Sequence, residues 1–339
     1  MVAVDLFSDT VTRPTPAMRR FMCAAEVGDE QLREDPSVNL LQDTVAELLG
    51  KEAALFLPSG TMCNQVAFAV HCRAGDEILL QEQGHPLLYE VGGPAAMVGA
   101  VLRPLFGDAK GLYTADQVRA AIRPPAYYMP RTRALSVEQT SNVAGGVCWP
   151  LEQINAVCEA AHDAGLVAHM DGARLLNAVV ASGVPAPEWT RGFDTAWIDF
   201  SKGLGAPLGA CLAASSELID EAWRYKQMMG GAMRQAGIVA AGALHALEHH
   251  VDRLAEDHAN ARALAEGLAQ VPGVTIDPAA VETNIVVFSV PDAPAFCAAL
   301  AEQGVLMGPL DATTIRAVTH LDVSADDVER AVRAARALD

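Results

Sequence analysis

Asp194-Thr195-Ala196-Trp197-Ile198-Asp199-Phe200-Ser201-Lys202-Gly203-Leu204-Gly205-Ala206-Pro207 reads as an apolar strand running straight into a glycine-rich turn that carries one of the chain's four lysines. The glycines let another group approach the backbone beside Lys202 closely. Upstream, 166–170 reads as a second strand, and it ends in Asp171-Gly172-Ala173-Arg174. An acid at one strand end and a lysine at another form a candidate covalent-cofactor site. A neutral lysine attacks an aldehyde, and an electron-poor ring so attached drains charge from a bound amino acid. Taken singly, each residue has a plainer reading: Lys202 as a solvated lysine in a turn, Asp171 as a helix cap, Arg174 as a structural ion-pair partner.

Outward from this stretch the pattern alternates. Strands are expected over 53–57, 77–81, 134–138, 166–170, 194–200 and 209–213, with helices over 61–73, 115–122 and 151–164. That rhythm predicts an α/β fold with a mostly parallel sheet and helices on both faces. Ligands of such sheets gather beyond the carboxyl ends of the strands, where Glu138, Asp171 and Lys202 all fall. Texture changes near Gly237. Residues 238–270 are helix-rich, 284–290 alternate as a strand does, and 294–303 and 325–338 read as short helices, together a smaller α+β C-terminal domain. The expected organisation is an N-terminal segment, 1–25, packing on the small domain or on a neighbouring subunit, a large domain over 26–240 and a small domain over 241–339.

With 339 residues, 51% hydrophobic and 19% charged, the chain can bury a sizeable core. Its 24 basic and 42 acidic residues give a net charge of −18, which argues against nucleic-acid and anionic-membrane partners. The seven cysteines are odd in number and match no zinc spacing, so no metal site is expected, and reduced thiols in a cytoplasmic protein are. The start, Met1-Val2-Ala3-Val4-Asp5, shows no signal-peptide pattern, and no apolar run reaches the ~20 residues a membrane helix needs.

Three further motifs carry chemistry. Pro58-Ser59-Gly60-Thr61 joins a strand to a helix, so its amides and the Thr61 hydroxyl, helped by the helix dipole, suit a phosphate. His85, after the 77–81 strand, could stack on a ring and exchange protons near neutral pH. Arg316, on a short strand of the small domain, could reach back to a substrate carboxylate.

Together these pieces resemble the L-threonine aldolase family, low-specificity enzymes dependent on pyridoxal phosphate and sharing the aspartate-aminotransferase fold (fold type I). The resemblance spans nearly the whole chain: Ser8-Asp9-Thr10-Val11-Thr12-Arg13-Pro14-Thr15, Glu34-Asp35-Pro36, Pro58 to Met62, Asn64-Gln65, His85 to Gly93, His169 to Arg174, Ser201 to Pro207, Met233 to Gly237, Thr283-Asn284, and Arg316 with Thr319 to Val323. It implies that Lys202 holds pyridoxal 5'-phosphate as a Schiff base, Asp171 pairs with the ring nitrogen, His85 stacks on the ring and assists deprotonation, and Ser59, Gly60 and Thr61 hold the phosphate. It also implies that Ser8, Arg174 and Arg316 hold the carboxylate of an amino-acid substrate. Homodimers or homotetramers with shared sites follow from the same resemblance, with Glu34 and Lys226 acting in a neighbour's site, Lys226 near the phosphate. The activity implied is retro-aldol cleavage of L-threonine, L-allo-threonine or related β-hydroxy-α-amino acids to glycine and an aldehyde.

The chain departs from the family's pattern in three places. Ser141 stands where the family has a histidine near the substrate hydroxyl. Leu32 and Arg33 replace a tyrosine and a glycine near the expected substrate side chain. Lys226-Gln227 stands for Arg-Lys. Ser141 and Arg33 are therefore candidate substrate contacts, and an altered lyase is the alternative: β-elimination, an α-methyl-serine-type reaction, or cleavage of an acidic β-hydroxy amino acid.

Overall fold

Short apolar runs closed by Gly, Pro, Asp or Ser form the strands, and side-chain caps such as Asp35, Ser59 and Ser215 start several of the helices between them. In a computed structural model that describes residues 3–338, twelve strands occur in chain order. They are β1 (Val4–Asp5), β2 (Ala53–Leu57), β3 (Glu77–Gln81), β4 (Val101–Leu105), β5 (Thr132–Glu138), β6 (Val167–Gly172), β7 (Thr195–Asp199), β8 (Ala210–Ala214), β9 (Ile285–Ser289), β10 (Val305–Leu306), β11 (Gly308–Pro309) and β12 (Thr314–Val318). Met1, Val2 and Asp339 lie outside the described residues, and with them the first residues of the segment read for a signal peptide.

Seven strands form one sheet in the order β2-β8-β7-β6-β5-β3-β4. β4, β3, β5, β6 and β7 run parallel, while β8 is antiparallel to both its neighbours. The mostly parallel sheet expected from the alternation is therefore present. Its one reversed strand has a local cause: β7 and β8 are joined by the ten-residue Lys202 turn, long enough to double back but not to make the crossover that parallel strands need. Gly209 closes that turn at φ +105°, a conformation that side chains disfavour, and a Cβ there would collide with the Phe56 ring. Sequence patterning did not reveal β4, because Val101-Leu102-Arg103-Pro104-Leu105 contains a proline. It is tolerated because β4 is an edge strand.

Alternation along β2 sends side chains to two cores. Phe56 joins the large cluster that includes Leu41, Val45 and Leu49 of helix Pro36–Leu49, whereas Leu55 and Leu57 join a cluster with Val66 of helix Gly60–His71 and Ala222 of helix Ser216–Met228. Helices thus cover both faces, and the central strands are buried along their length.

A separate core gathers Leu264 and Leu268 of helix Leu254–Leu268, Val328 and Val332 of helix Ala325–Arg336, and the antiparallel sheet β11-β12-β9. Val4 and Leu6 enter this core because β1 pairs with β10, and helix Pro16–Cys23 packs on helix Gly237–His249. Along β12, Ile315 and Ala317 are buried while Arg316 points to the other face. Among the described residues no helix is long and apolar enough to cross a membrane.

Candidate active site

The carboxyl ends of β2, β3, β5, β6 and β7 open onto a cavity of about 320 Å³ lined by Ser59, Gly60, Thr61, His85, Asp171 and Lys202, among others. It adjoins a second cavity of about 440 Å³ that includes Ser8 and Arg316. Thr10, His85, Asn142 and Arg174 line both. Residues scattered from Ser8 to Arg316 thus meet in one cleft.

Lys202 projects from its turn with Nζ 3.6 Å from Asp199 Oδ2 and 5.6 Å from the Trp197 ring centre. Three hydrogen bonds hold the turn. The Thr12 hydroxyl donates to Lys202 O (2.8 Å), Gly205 N–H donates to the same oxygen (2.9 Å), and His250 Nδ1 meets Leu204 O at 2.6 Å. Facing it, Ser59 caps helix Gly60–His71 by accepting from Met62 N–H, which leaves the helix's first amides beside the cavity.

Asp171 is buried at the end of β6 and accepts from Ala173 N–H (3.1 Å) and Asn64 Nδ2 (2.9 Å). Burial raises its pKa, against the pull of His85, Asn64 and Lys202. Glu90, fully enclosed, accepts from Asn64 (2.7 Å) and Gln65 (2.5 Å) and meets His85 Nδ1 at 2.9 Å. Glu138 accepts the backbone N–H groups of His85 and Asn142, both at 3.1 Å. Burial first, then the charge of Asp171, lift Glu138 to about 7. Burial works against a charged His85, but the Glu90 hydrogen bond and the charges of Asp171, Glu90 and Glu138 outweigh it and raise the imidazole's pKa. With Nδ1 held by Glu90, Nε2 is the nitrogen left for a ligand.

At the other end, Arg174 forms a buried bidentate pair with Asp9 (2.7 and 2.6 Å). Burial alone would push Asp9 up, but Arg174 outweighs it and holds the carboxyl at about 2. Arg316 Nη1 donates to Asn142 Oδ1 (3.0 Å), 3.5 Å from Arg174 Nη1, so two guanidiniums converge on one neutral oxygen. Arg316 Nε is buried with no partner among the described residues. Burial and the Arg174 charge both lower the Arg316 pKa, which marks a cation short of an anion. Ser8 lies alongside, its hydroxyl engaged by Thr10.

Three of the sequence candidates stand elsewhere. Lys226 is fully buried and paired with the equally buried Glu30 (2.9 Å), over the Trp223 ring, so within the chain it brings no free cation to the cavity. Arg33 pairs on the surface with Asp220 at 2.7 Å and adopts φ +60°. That left-handed backbone is the physical reason a glycine suits the position. Ser141 is buried behind the cleft, where its hydroxyl accepts from Gln81 Nε2 (3.0 Å), and it lines neither cavity. Conversely, Asp9, Glu90, Asn142 and Asp199 were not singled out as site residues. The clearest signal for Asp9 and Glu90 was their place inside stretches already quoted, beside Ser8 and after His85.

A family model for β-eliminating lyases matches residues 5–291. The chain belongs to that family. It is 42% identical over 329 residues to the low-specificity L-threonine aldolase of Escherichia coli K12, covering 96% of each chain. It is 40% identical over 336 residues to low-specificity L-threonine aldolase 1 of Arabidopsis thaliana, covering 97% of this chain and 94% of the relative. A solved threonine aldolase from Leishmania major shares the fold at a TM-score of 0.84 and 19% identity, covering 99% of each chain. This β-eliminating-lyase family member is thus an enzyme of the lyase class with the fold type that its motifs resembled, and its family is pyridoxal-phosphate-dependent.

Proposed function

We propose that this enzyme cleaves β-hydroxy-α-amino acids, with L-threonine and L-allo-threonine as reference substrates, to glycine and an aldehyde, using pyridoxal phosphate. The observation that carries this reading is the pairing, in one cleft, of the Lys202–Asp171 end with a two-arginine anion receptor. The donor set fits the cofactor. An amine stands at one side, a helix N-terminus with Ser59 and Thr61 suits the phosphate, and buried Asp171, its pKa raised, gains from a cationic N–H partner. Lys202, Asp171, His85, Ser59, Gly60 and Thr61 would hold it. When bound, it supplies an aldehyde for Lys202 and a ring that accepts the electron pair released as the Cα–Cβ bond breaks.

The chain's own groups do the rest. Arg316 and Arg174 bind the substrate carboxylate as charge-assisted hydrogen-bond donors, and anchoring that end orients the bond to be broken. His85 accepts the β-hydroxyl proton at Nε2, while Glu90 holds the ring from the Nδ1 side and stabilises the imidazolium that results. Such a base contributes about 10²–10⁴-fold. Because Arg33 is committed to Asp220, the acidic-substrate alternative has no cation from that residue in this chain. A panel of β-hydroxy amino acids assayed for aldehyde and glycine tests the reading. Release of ammonia and a keto acid instead would favour β-elimination, and no turnover of any member would overturn the proposal.

A further inference from the structure

Beneath the cleft, polar side chains that the reaction does not touch form a continuous line. His71 Nε2 lies 3.0 Å from Thr195 Oγ1, which lies 2.8 Å from His169 Nδ1, and His169 Nε2 lies 3.0 Å from Asn64 Oδ1. Trp197 Nε1 also reaches Asn64 Oδ1, at 2.7 Å. All these groups are buried.

Donor and acceptor chemistry gives the line one direction. An indole N–H only donates, so the atom it meets is the amide oxygen of Asn64, and the NH₂ group faces the acids. His169 must then carry its proton on Nε2. Burial pushes its pKa down to about 3, so it is neutral and Nδ1 is an acceptor. The Thr195 hydroxyl donates to that nitrogen and accepts from His71 Nε2–H. Every proton therefore points towards Asn64, whose two N–H bonds end on Asp171 Oδ2 (2.9 Å) and Glu90 Oε1 (2.7 Å).

We propose that Asn64 is a positioning residue of the cleavage reaction, because its single amide bridges Asp171, which would pair with the cofactor's ring nitrogen, and Glu90, which holds His85 Nδ1. His71, Thr195, His169 and Trp197 hold that amide the working way round. The inference rests on the reading of the cleft given above, and it adds that the acid of the electron sink and the acid behind the base are set by the same group. Around His85 stand Glu90 from its own loop with the Tyr89 ring, Glu138 from β5 and Asp171 from β6. Lys202 and Arg174 line the same cavity. Asn64 touches two of those three acids.

The first experiment is nitrogen NMR of the histidines in the wild-type holoenzyme. His169 is expected neutral with its proton on Nε2 from pH 5 to 9, and a proton on Nδ1 overturns the proposal. The second is N64D, which removes both donors and adds a fourth acid to the cluster. The His85 titration and the acid limb of kcat/KM both move to higher pH, with activity about 10-fold lower at pH 7 and recovering in alkali. Should N64D fail to fold, T195V decides. This near-isosteric change strips the donor from His169 Nδ1 and loosens the line that holds the Asn64 amide, so the His85 titration shifts and kcat falls several-fold with KM little changed. Folded variants that leave the His85 titration as in wild type overturn the proposal. Both titrations are read without substrate, so a wild-type protein that cleaves no β-hydroxy amino acid defeats the reaction assignment while the Asn64 bridge is still tested.

Discussion

At the Lys202 end of the cleft three buried carboxylates, Asp171, Glu90 and Glu138, crowd around one imidazole, whereas at the Arg316 end two guanidiniums converge on the neutral oxygen of Asn142. Burial and the neighbouring charge of Asp171 lift Glu138 to about 7, and burial raises Asp171 as well. Crowded cations cannot release protons to the same effect, and the second end is left in want of an anion. One end is built for proton handling and the other for carboxylate binding. Asp9 keeps the second end from over-charging, because it neutralises Arg174 inside the fold and leaves Arg316 as the cation with unmet demand.

The largest expected effect breaks the Lys202 end. K202A removes the nucleophile, and turnover falls by at least about 10³-fold. The visible absorbance of the bound cofactor changes with it, and retained turnover in steady-state assays would remove Lys202 from the chemistry.

The two arginines separate next. R174A leaves the buried Asp9 charge unpaired and costs about 3–5 kcal/mol of folding stability in denaturant titrations, in addition to activity. R316A leaves stability nearly intact and raises KM about 10- to 150-fold, the loss of a charge-assisted hydrogen bond worth about 1.5–3 kcal/mol. Equal stability losses in the two variants would erase the distinction between a neutralised and a free guanidinium.

A pH profile tests the acidic end. His85 acts as a base when neutral, so kcat/KM rises with pH through a pKa that lies above the ordinary imidazole value. E90Q removes the hydrogen-bonded charge that raises that pKa, and the acid limb moves to lower pH. A limb that stays in place assigns the proton transfer to another group, Glu138 being next in line. The smallest effect is at Arg33. R33G relieves the left-handed backbone and removes an exposed ion pair, opposing changes of about 1 kcal/mol or less each. Relative rates on acidic and neutral substrates stay unchanged; a shift in that ratio would restore Arg33 to the substrate site.

Much of this was legible in order along the chain. The strands over 53–57 and 77–81 match the observed bounds, because the buried strands of this sheet are short apolar runs with clear punctuation. Lys202, Asp171, His85 and the Ser59-Gly60-Thr61 turn could be assigned to one edge because strand ends of such a sheet face one way. The Arg33 and Ser141 expectations came from position relative to a motif, which does not say where a side chain points. Arg33 turned to Asp220 and Ser141 to Gln81. Lys226, expected to act near the phosphate of a neighbour's site, shares its burial within the chain with Glu30, 196 residues away.

The sequence by itself determined the class of fold, the lysine and the acid at one edge of its sheet, and the family, because these depend on local periodicity and on motifs read in order. The tertiary structure alone decided which charges are spent and which are free. Asp9 spends Arg174, Glu30 spends Lys226 and Asp220 spends Arg33, while Arg316 stays short of a partner and Asn64 spans two acids. Pairings of that kind join residues far apart in the chain, and their strength depends on burial and on distances of a few ångströms, neither of which is written in the order of the residues.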